Sequence, residues 1–426
     1  MIARTAPAAH VISGATGFVG GAFALELLQR TSDRLVCLVR GADDAAATRR
    51  LHDALGHAAE MYGVPDLLPS ILERTRAVAG DMTDDALAES ADRFRAAAGG
   101  TTIGTFWHVA ASLKYEDRHA DEINLMNVNG TRNVLSLAKT LGEPVFNHVS
   151  TAYVAGRRTG AMREEFPGDT DSANNVYEST KTIGEEEVAA SGLPWRVLRP
   201  SIVIGHAKTG AATSFTGMYG FVSSVLRFRQ AVEKEFGNLL QHRHVPIVAD
   251  PEIECDLVPV DLVARNAVTI GREGALSTIY HLNNAGSPTV GEVIEEIFEL
   301  AGLRGPRFVS NRGLLTAIDL KLDEGLQFYA SYMINGKRFD QTNTESVCGK
   351  GSQRFDVDRA EVRRFVQWYL DRIQSDGRSS SPARSTFAYH SARKPAGGTR
   401  DHGPGRHAGD ARPAPVTHTG PRESAR

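Results

Sequence analysis

At 426 residues, the chain is too long for one minimal domain. The roughly 150 residues of a typical domain suggest two or three units, or one large α/β domain with an appended lobe. Hydrophobic residues at 41% and charged residues at 23% exclude wholesale disorder. The balance of 48 Lys+Arg against 51 Asp+Glu argues against a protein dominated by nucleic-acid phosphates. Cys37, Cys255 and Cys348 are odd in number and contain no C-x-x-C pair, which excludes a disulfide scaffold or zinc ribbon and suits a reducing cytoplasm. With no apolar run of about 18 residues and no charged-then-apolar start, neither a membrane span nor a signal segment is expected.

Residues 1–205 alternate short β-rich runs with helical stretches. The predicted strands are His10–Ser13, Leu35–Val39, Arg76–Ala79, Thr105–Val109, Val145–Val149 and Arg196–Leu198. Near-continuous apolar strands separated by helices such as Phe18–Arg30 and Ile123–Leu141 imply βαβ crossovers. The expected fold class is therefore α/β, a Rossmann-type doubly wound parallel sheet. Residues 206–374 read as a smaller mixed α/β substrate lobe, partly interleaved with the sheet. Its predicted elements are a helix around Phe221–Phe236, a strand at Thr278–Leu282, a helix over Thr289–Ala301 capped by Thr289, and a last helix near Val357–Ile373. Residues 375–426 carry nine Lys/Arg and four Asp/Glu, and their only large apolar residues are Phe387, Tyr389 and Val416. They are expected to form a disordered tail.

The first strand runs directly into Ser13-Gly14-Ala15-Thr16-Gly17-Phe18-Val19-Gly20, followed by a helix. One glycine permits a tight turn, one lets the backbone approach a pyrophosphate, and one lets helix and strand pack closely. The helix N-terminus then offers N–H groups to the phosphates. A dinucleotide is the expected ligand. The second strand ends on Arg40, where an NAD site usually has an acid for the ribose 2′-OH. A cation there suits a 2′-phosphate, with Arg50 assisting from the next helix, so NADP(H) is the expected cofactor.

Further along, Tyr177 and Lys181 form Tyr-x-x-x-Lys on a predicted helix, Asn175–Val188. Four residues is about one turn, so the two share a face. A nearby ammonium should lower the phenol's pKa. The preceding strand ends His148-Val149-Ser150-Thr151, where a hydroxyl can hold a substrate oxygen as charge develops. His242-Arg243-His244 has no accompanying metal-ligand pattern, the tail histidines (His390, His402, His407, His418) are irregularly spaced, and no metal is expected. Nucleophile-elbow and Walker motifs do not occur.

These features together resemble the extended short-chain dehydrogenase/reductases. The resemblance rests on the glycine turn, Gly80-Asp81, His108-Val109-Ala110-Ala111, Asn127-Val128-Asn129-Gly130-Thr131, Ser150-Thr151, Tyr177/Lys181 and Arg199-Pro200-Ser201. Val36-Cys37-Leu38-Val39-Arg40, His108-Val109-Ala110-Ala111, Arg199-Pro200-Ser201-Ile202-Val203-Ile204-Gly205 and Asp256-Leu257-Val258-Pro259-Val260-Asp261 look closest to the thioester reductases and fatty acyl-CoA reductases of the male sterility type. The resemblance implies a catalytic set of Thr151, Tyr177 and Lys181 supported by Asn127. It also implies cofactor contacts from Asp81, Met82, Ala110, Ala111 and Pro200. The activity implied is NADPH-dependent reduction of an acyl thioester to an aldehyde, or onward to an alcohol. Since no phosphopantetheine site occurs in the chain, the thioester would arrive on CoA or on a separate acyl or peptidyl carrier protein. The alternatives are a sugar-nucleotide epimerase/dehydratase or hydroxysteroid-type dehydrogenase using the same residues, and a dinucleotide-binding regulator without turnover.

Overall fold

A computed structural model describes residues 8–114, 117–168 and 171–379. Seven parallel strands form the main sheet: β1 (Ala9–Ser13), β2 (Arg34–Val39), β3 (Thr75–Ala79), β4 (Ile103–His108), β5 (Val145–Val149), β6 (Trp195–Pro200) and β7 (Thr278–Leu282). Their spatial order is β7-β6-β5-β4-β1-β2-β3. The order reverses at β1, so a crevice opens between the carboxyl ends of β1 and β4, where doubly wound sheets bind ligands. Strand continuity in apolar residues has its physical reason here, because both faces of the sheet are covered.

On one face lie α1 (Phe18–Arg30), α2 (Asp44–Met61) and a helix at Val260–Glu273, whose Val263, Ala267 and Ile270 share a core with Phe23, Leu27 and Leu51. On the other face α3 (Gly130–Thr140) and α4 (Val176–Ala190) bury Val134, Leu135 and Val188 against Phe106 and Phe146. Thr278–Leu282 and the Val260–Glu273 helix thus return to the sheet from the second half of the chain. The remaining lobe has its own core, built from Val222 and Val225 of α5 (Met218–Phe236), Ile294 and Phe298 of α6 (Val290–Leu300), and Val362 and Phe365 of α7 (Arg359–Ser379).

Thr289 caps α6 as expected, in a capping box with Glu292. Two expectations shift. The predicted helix over Ile123–Leu141 is broken into Ala120–Asn124, a π-turn at Leu125–Asn129, and α3. The last helix runs through residues 375–379, beyond the expected start of the tail. Residues 380–426, including the four tail histidines, lie outside the described residues. His242-Arg243-His244 is occupied within the lobe: Arg243 donates to Asp319 at 2.7 Å, the His244 ring meets the Gly305 carbonyl at 2.7 Å, and the His242 carbonyl accepts from Arg304 at 2.7 Å. No helix among the described residues is long and apolar enough to cross a membrane, and none of their His, Cys, Asp and Glu side chains cluster in a group able to hold a metal ion.

Candidate active site

The glycine turn is fixed by sterics. Gly14 has φ +83°, and a Cβ there would stand 2.7 Å from the Ala110 backbone nitrogen. A Cβ on Gly20 would stand 2.2 Å from the Gly14 carbonyl oxygen. Neither position accepts a side chain, so β1, the turn and α1 approach as closely as backbones can. Gly17 caps α1 with no side-chain hydrogen bond, and its own N–H is tied to the Gly14 carbonyl at 2.9 Å. The first-turn N–H groups of α1 are therefore left for an anion. Thr16, Phe18 and Val19 are half-buried at this turn, and the Ala110 backbone after β4 packs against Gly14, with half-buried Ala111 next in the chain.

Arg40 is exposed at the end of β2, and its backbone carbonyl accepts from Arg50 at 3.1 Å, which brings the Arg50 guanidinium to this strand end. The nearby acids are committed elsewhere: Asp43 caps α2 through the Ala46 N–H, and Asp44 holds the Ala79 N–H and Arg93. Asp81 uses one oxygen to hold Thr83 through its N–H at 3.0 Å and its hydroxyl at 2.9 Å. Met82 is buried against Gly130, where a Cβ would meet its Cε at 2.4 Å.

Tyr177 and Lys181 lie on α4, which opens at Asn175, whose side chain accepts from the Glu178 N–H at 2.9 Å. Thr151 begins a short turn directly after β5. The Thr151 hydroxyl accepts from the Tyr153 N–H at 3.2 Å and lies close enough to the Tyr177 phenol to influence it. Burial and the neighbouring Glu178 carboxyl raise the Tyr177 phenol above its usual range, and the nearby Thr151 hydroxyl only partly offsets this. The expected lowering by Lys181 is thus overridden by burial. Lys181 is itself buried, and its Nζ donates to the Val149 carbonyl at 2.7 Å. Burial pushes its pKa down to about 8, with Glu185 acting in the opposite sense.

Asn127 does not touch either group. Its Nδ2 donates to Thr180 Oγ1 at 3.1 Å and to the Ser112 carbonyl at 3.2 Å, and its Oδ1 accepts the Ser112 N–H at 2.7 Å. Thr180 sits between Tyr177 and Lys181 in sequence, so Asn127 positions the helix that carries both. Its place in a π-turn, with the extra residue per turn, aims this amide at α4. Pro200 is buried at the end of β6, paired in register with Leu282.

Two features near the site carry no sequence signal. Glu178 is 0% exposed and accepts from Tyr332 at 2.8 Å, a contact spanning 154 residues. The Tyr332 ring also packs on Tyr153, two residues after Thr151, with centroids 4.4 Å apart. The lobe thereby touches the neighbours of both Thr151 and Tyr177. His108 and His148 face each other across β4 and β5, 5.3 Å between ring centroids.

A seven-stranded parallel sheet, a glycine turn leading into α1, and Thr151 just after β5 with Tyr177 and Lys181 on one face of α4 define a protein of the extended short-chain dehydrogenase/reductase class. The chain belongs to the NAD-binding Male sterility protein family, whose model matches residues 12–267. Among relatives, it is 33% identical over 214 residues to the nonribosomal peptide synthetase asaC of Aspergillus flavus, covering 47% of this chain and 20% of that protein. It is 23% identical to probable fatty acyl-CoA reductase 5 of Arabidopsis thaliana, covering 76% of each. The solved terminal R domain from the myxalamid PKS-NRPS biosynthetic pathway superposes with a TM-score of 0.67 at 22% identity, covering 87% of this chain and 92% of that one. The chain thus spans only a fifth of the length of the peptide synthetase it matches.

Proposed function

We propose that the protein is an NADPH-dependent reductase of acyl thioesters, with an aldehyde as first product. The observation that carries this reading is the placement of Thr151, just after β5, and of Tyr177 and Lys181 on the first turns of α4, at the same carboxyl end of the sheet as the glycine turn, in a chain related both to a fatty acyl-CoA reductase and to peptide synthetases. A bound reduced nicotinamide would supply hydride to the thioester carbonyl carbon. Gly14, Thr16, Gly17, Phe18, Val19 and Gly20 would hold its pyrophosphate, and Asp81, Met82, Ala110, Ala111 and Pro200 the remainder of the dinucleotide. Arg40 and Arg50 would take a 2′-phosphate, since the neighbouring Asp43 and Asp44 are already engaged.

Thr151 and Tyr177 hold the carbonyl oxygen where negative charge develops. Tyr177, kept protonated at neutral pH by its burial, then donates its proton to that oxygen. Lys181 holds the nicotinamide ribose and places a positive charge behind the tyrosine, while Asn127 fixes α4 through Thr180. Loss of the thiol from the resulting hemithioacetal leaves the aldehyde. Residues 1–205 together with the returning Val260–Glu273 helix and β7 form the cofactor half. The rest of residues 206–374 shapes the substrate pocket, with Tyr153 and Tyr332 on its border. A thioester delivered on CoA or on an acyl or peptidyl carrier protein fits this arrangement.

The test is direct. Purified protein is incubated with NADPH and a panel of acyl-CoAs and carrier-loaded acyl groups, following NADPH consumption, free thiol and trapped aldehyde. Aldehyde formed in step with thiol release supports the reading; cofactor binding without turnover across the panel overturns it.

A further inference from the structure

Between Thr151 and Tyr177 the chain makes a long excursion, and the substrate lobe runs alongside it. The lobe strand Lys337–Phe339 pairs in parallel register with Gly160–Met162. The pairing is extended by the Gly160 N–H to the Gly336 carbonyl at 3.0 Å and the Asp340 N–H to the Met162 carbonyl at 2.8 Å. Just before this strand stands the short helix Ala330–Ile334, held from the lobe side. The Met333 carbonyl accepts from the Asp250 N–H at 2.8 Å, and Tyr329, directly before the helix, donates to the Gly217 carbonyl at 2.9 Å. From that base Tyr332 makes two contacts toward the sheet: its hydroxyl donates to Glu178 Oε1 at 2.8 Å, and its ring centroid lies 4.4 Å from that of Tyr153. Each contact ends beside a group of the proposed mechanism. The Tyr153 N–H donates to the Thr151 hydroxyl at 3.2 Å, and Glu178 follows Tyr177 on α4, its own N–H bound by the capping Asn175 at 2.9 Å. Glu178 is fully buried, and a buried carboxyl left without donors is costly. Asn174 supplies Oε2 through its N–H at 2.7 Å and its side-chain amide at 2.9 Å, but reaches Oε1 only at 3.3 Å. The short bond to Oε1 comes from Tyr332, across the lobe boundary.

We propose that Tyr332 is a positioning residue through which the seated lobe fixes Thr151 and Tyr177 relative to each other. The inference rests on the roles given to those two residues in the proposed function. They come from different elements, Thr151 from the turn after β5 and Tyr177 from the first turn of α4. A misplacement of about 1 Å between groups that must act together can cost on the order of 10²-fold in rate. One lobe side chain spans the two elements, and its parts act separately. The hydroxyl holds α4 through Glu178, and the ring holds the Thr151 turn through Tyr153. Both rings are themselves braced: Phe328 packs edge-on against Tyr332 at 5.4 Å between centroids, and Phe339 edge-on against Tyr153 at 5.8 Å. The lobe therefore does more than shape the pocket, because its seating sets the geometry at the oxygen that receives the proton.

The experiment compares wild type with Tyr332→Phe, Tyr332→Ala, Glu178→Ala and the double Tyr332→Phe, Glu178→Ala protein. Tyr332→Phe keeps the ring on Tyr153 and leaves the Asn174 donors on Glu178, so the fold persists. Amide hydrogen exchange read by mass spectrometry needs no substrate. Tyr332→Phe should speed exchange in peptides covering 174–181, and Tyr332→Ala in those covering both 174–181 and 151–156, while the phosphate turn at 13–20 keeps its wild-type rate. With a thioester that wild type reduces, kcat should fall roughly tenfold in Tyr332→Phe and up to about a hundredfold in Tyr332→Ala. NADPH affinity should stay near wild type in both, as should KM for the thioester in Tyr332→Phe. Adding Tyr332→Phe to Glu178→Ala should cost nothing further in kcat, because the hydroxyl acts through that carboxyl. Wild-type exchange at 174–181 in Tyr332→Phe overturns the proposal, whatever happens to turnover. Faster exchange throughout the protein, the phosphate turn included, overturns it too, since general destabilisation would then explain the loss. If wild type reduces no thioester, the proposed function falls, and the exchange pattern still decides the role of Tyr332.

Discussion

Arg199 grips Glu185 in a bidentate ion pair with both side chains out of water: Nε to Oε1 at 2.9 Å and Nη2 to Oε2 at 2.6 Å, at 3% and 0% exposure. Its remaining arm donates to the Glu165 carbonyl at 3.0 Å. The pair ties α4, one turn beyond Lys181, to the end of β6. Breaking one half of such a pair strands a charge in a dry site, which typically costs about 3–5 kcal/mol. Glu185→Ala should lose stability of that order in urea unfolding. A double Arg199→Met, Glu185→Met protein should recover most of it, because no charge remains buried. Equal losses in single and double variants would show that the pair stabilises through packing and not through charge.

Tyr177→Phe removes one oxygen and nothing else from the site. Proton transfer by a positioned side chain contributes roughly 10²–10⁴-fold, so turnover should fall by about that factor. NADPH affinity, measured by fluorescence titration, should stay near wild type, because the phosphate turn is untouched. Wild-type-like kcat in this variant would remove Tyr177 from the mechanism.

Lys181 gives a pH prediction with a definite sign. Its folded pKa of about 8 lies below the ordinary lysine value of 10.5, with burial as the main cause. Activity that needs the ammonium should therefore decline as pH rises through about 8. Stability moves the other way. Between the two values the unfolded chain holds the proton that the folded chain has released, so this group adds stability as pH rises across that window. Lys181→Met should be inactive yet more stable than wild type at pH 7, by roughly 1–3 kcal/mol after the lost bond to Val149 is counted. That advantage should shrink by pH 10. Urea midpoints at the two pH values check it.

How much of this was legible in the sequence follows from how local each constraint is. The turn could be read because the Gly20 clash with the Gly14 carbonyl arises within one βα unit, whereas the clash at Gly14 comes from Ala110, after β4, and is not local. Tyr177 and Lys181 could be placed on one helix face because four residues make about one turn. The Thr289–Glu292 capping box is equally local. What escaped reading is non-local. The Tyr332–Glu178 contact spans 154 residues, and the His108–His148 pair exists only because β4 and β5 are in that register. The π-turn at Leu125–Asn129 has an ordinary helical sequence, and the demand of Asn127 for Ser112 and Thr180 breaks its regularity. The pKa of Tyr177 was misjudged for a related reason: spacing reports a neighbouring charge, but burial is set by the whole fold.

Asp256 supplies an independent pH test away from Lys181. Burial raises its carboxyl to about 7, although Ser201 Oγ at 2.5 Å and the Asn284 N–H at 3.0 Å both favour the charged form. A folded pKa above the unfolded value means its contribution is fully present below about pH 4 and is lost as pH rises through 7. Asp256→Asn keeps an oxygen for Ser201 and Asn284 but cannot ionise. Its Tm should match wild type near pH 4.5 and exceed it at pH 8. An equal offset at both pH values would mean that the carboxylate is no strain on the fold.

The last prediction concerns cofactor choice. Arg40 is exposed at the end of β2, Arg50 donates to its carbonyl, and the acids that follow are engaged with Ala46, Ala79 and Arg93. A guanidinium is always charged and makes paired hydrogen bonds to phosphate. Bonds of that kind contribute about 1.5–3 kcal/mol each, or roughly ten- to a hundredfold in affinity. Arg40→Ala should therefore raise KM for NADPH by about that factor and leave the NADH value almost unmoved, since NADH has no 2′-phosphate to lose. If Arg50 shares the contact, the single variant should fall at the low end of the range and the double Arg40→Ala, Arg50→Ala variant at the high end. Values of kcat/KM with both cofactors decide the matter. Equal losses with NADPH and NADH would make Arg40 a structural residue of the strand end, and a wild-type preference for NADH would overturn the NADP assignment outright.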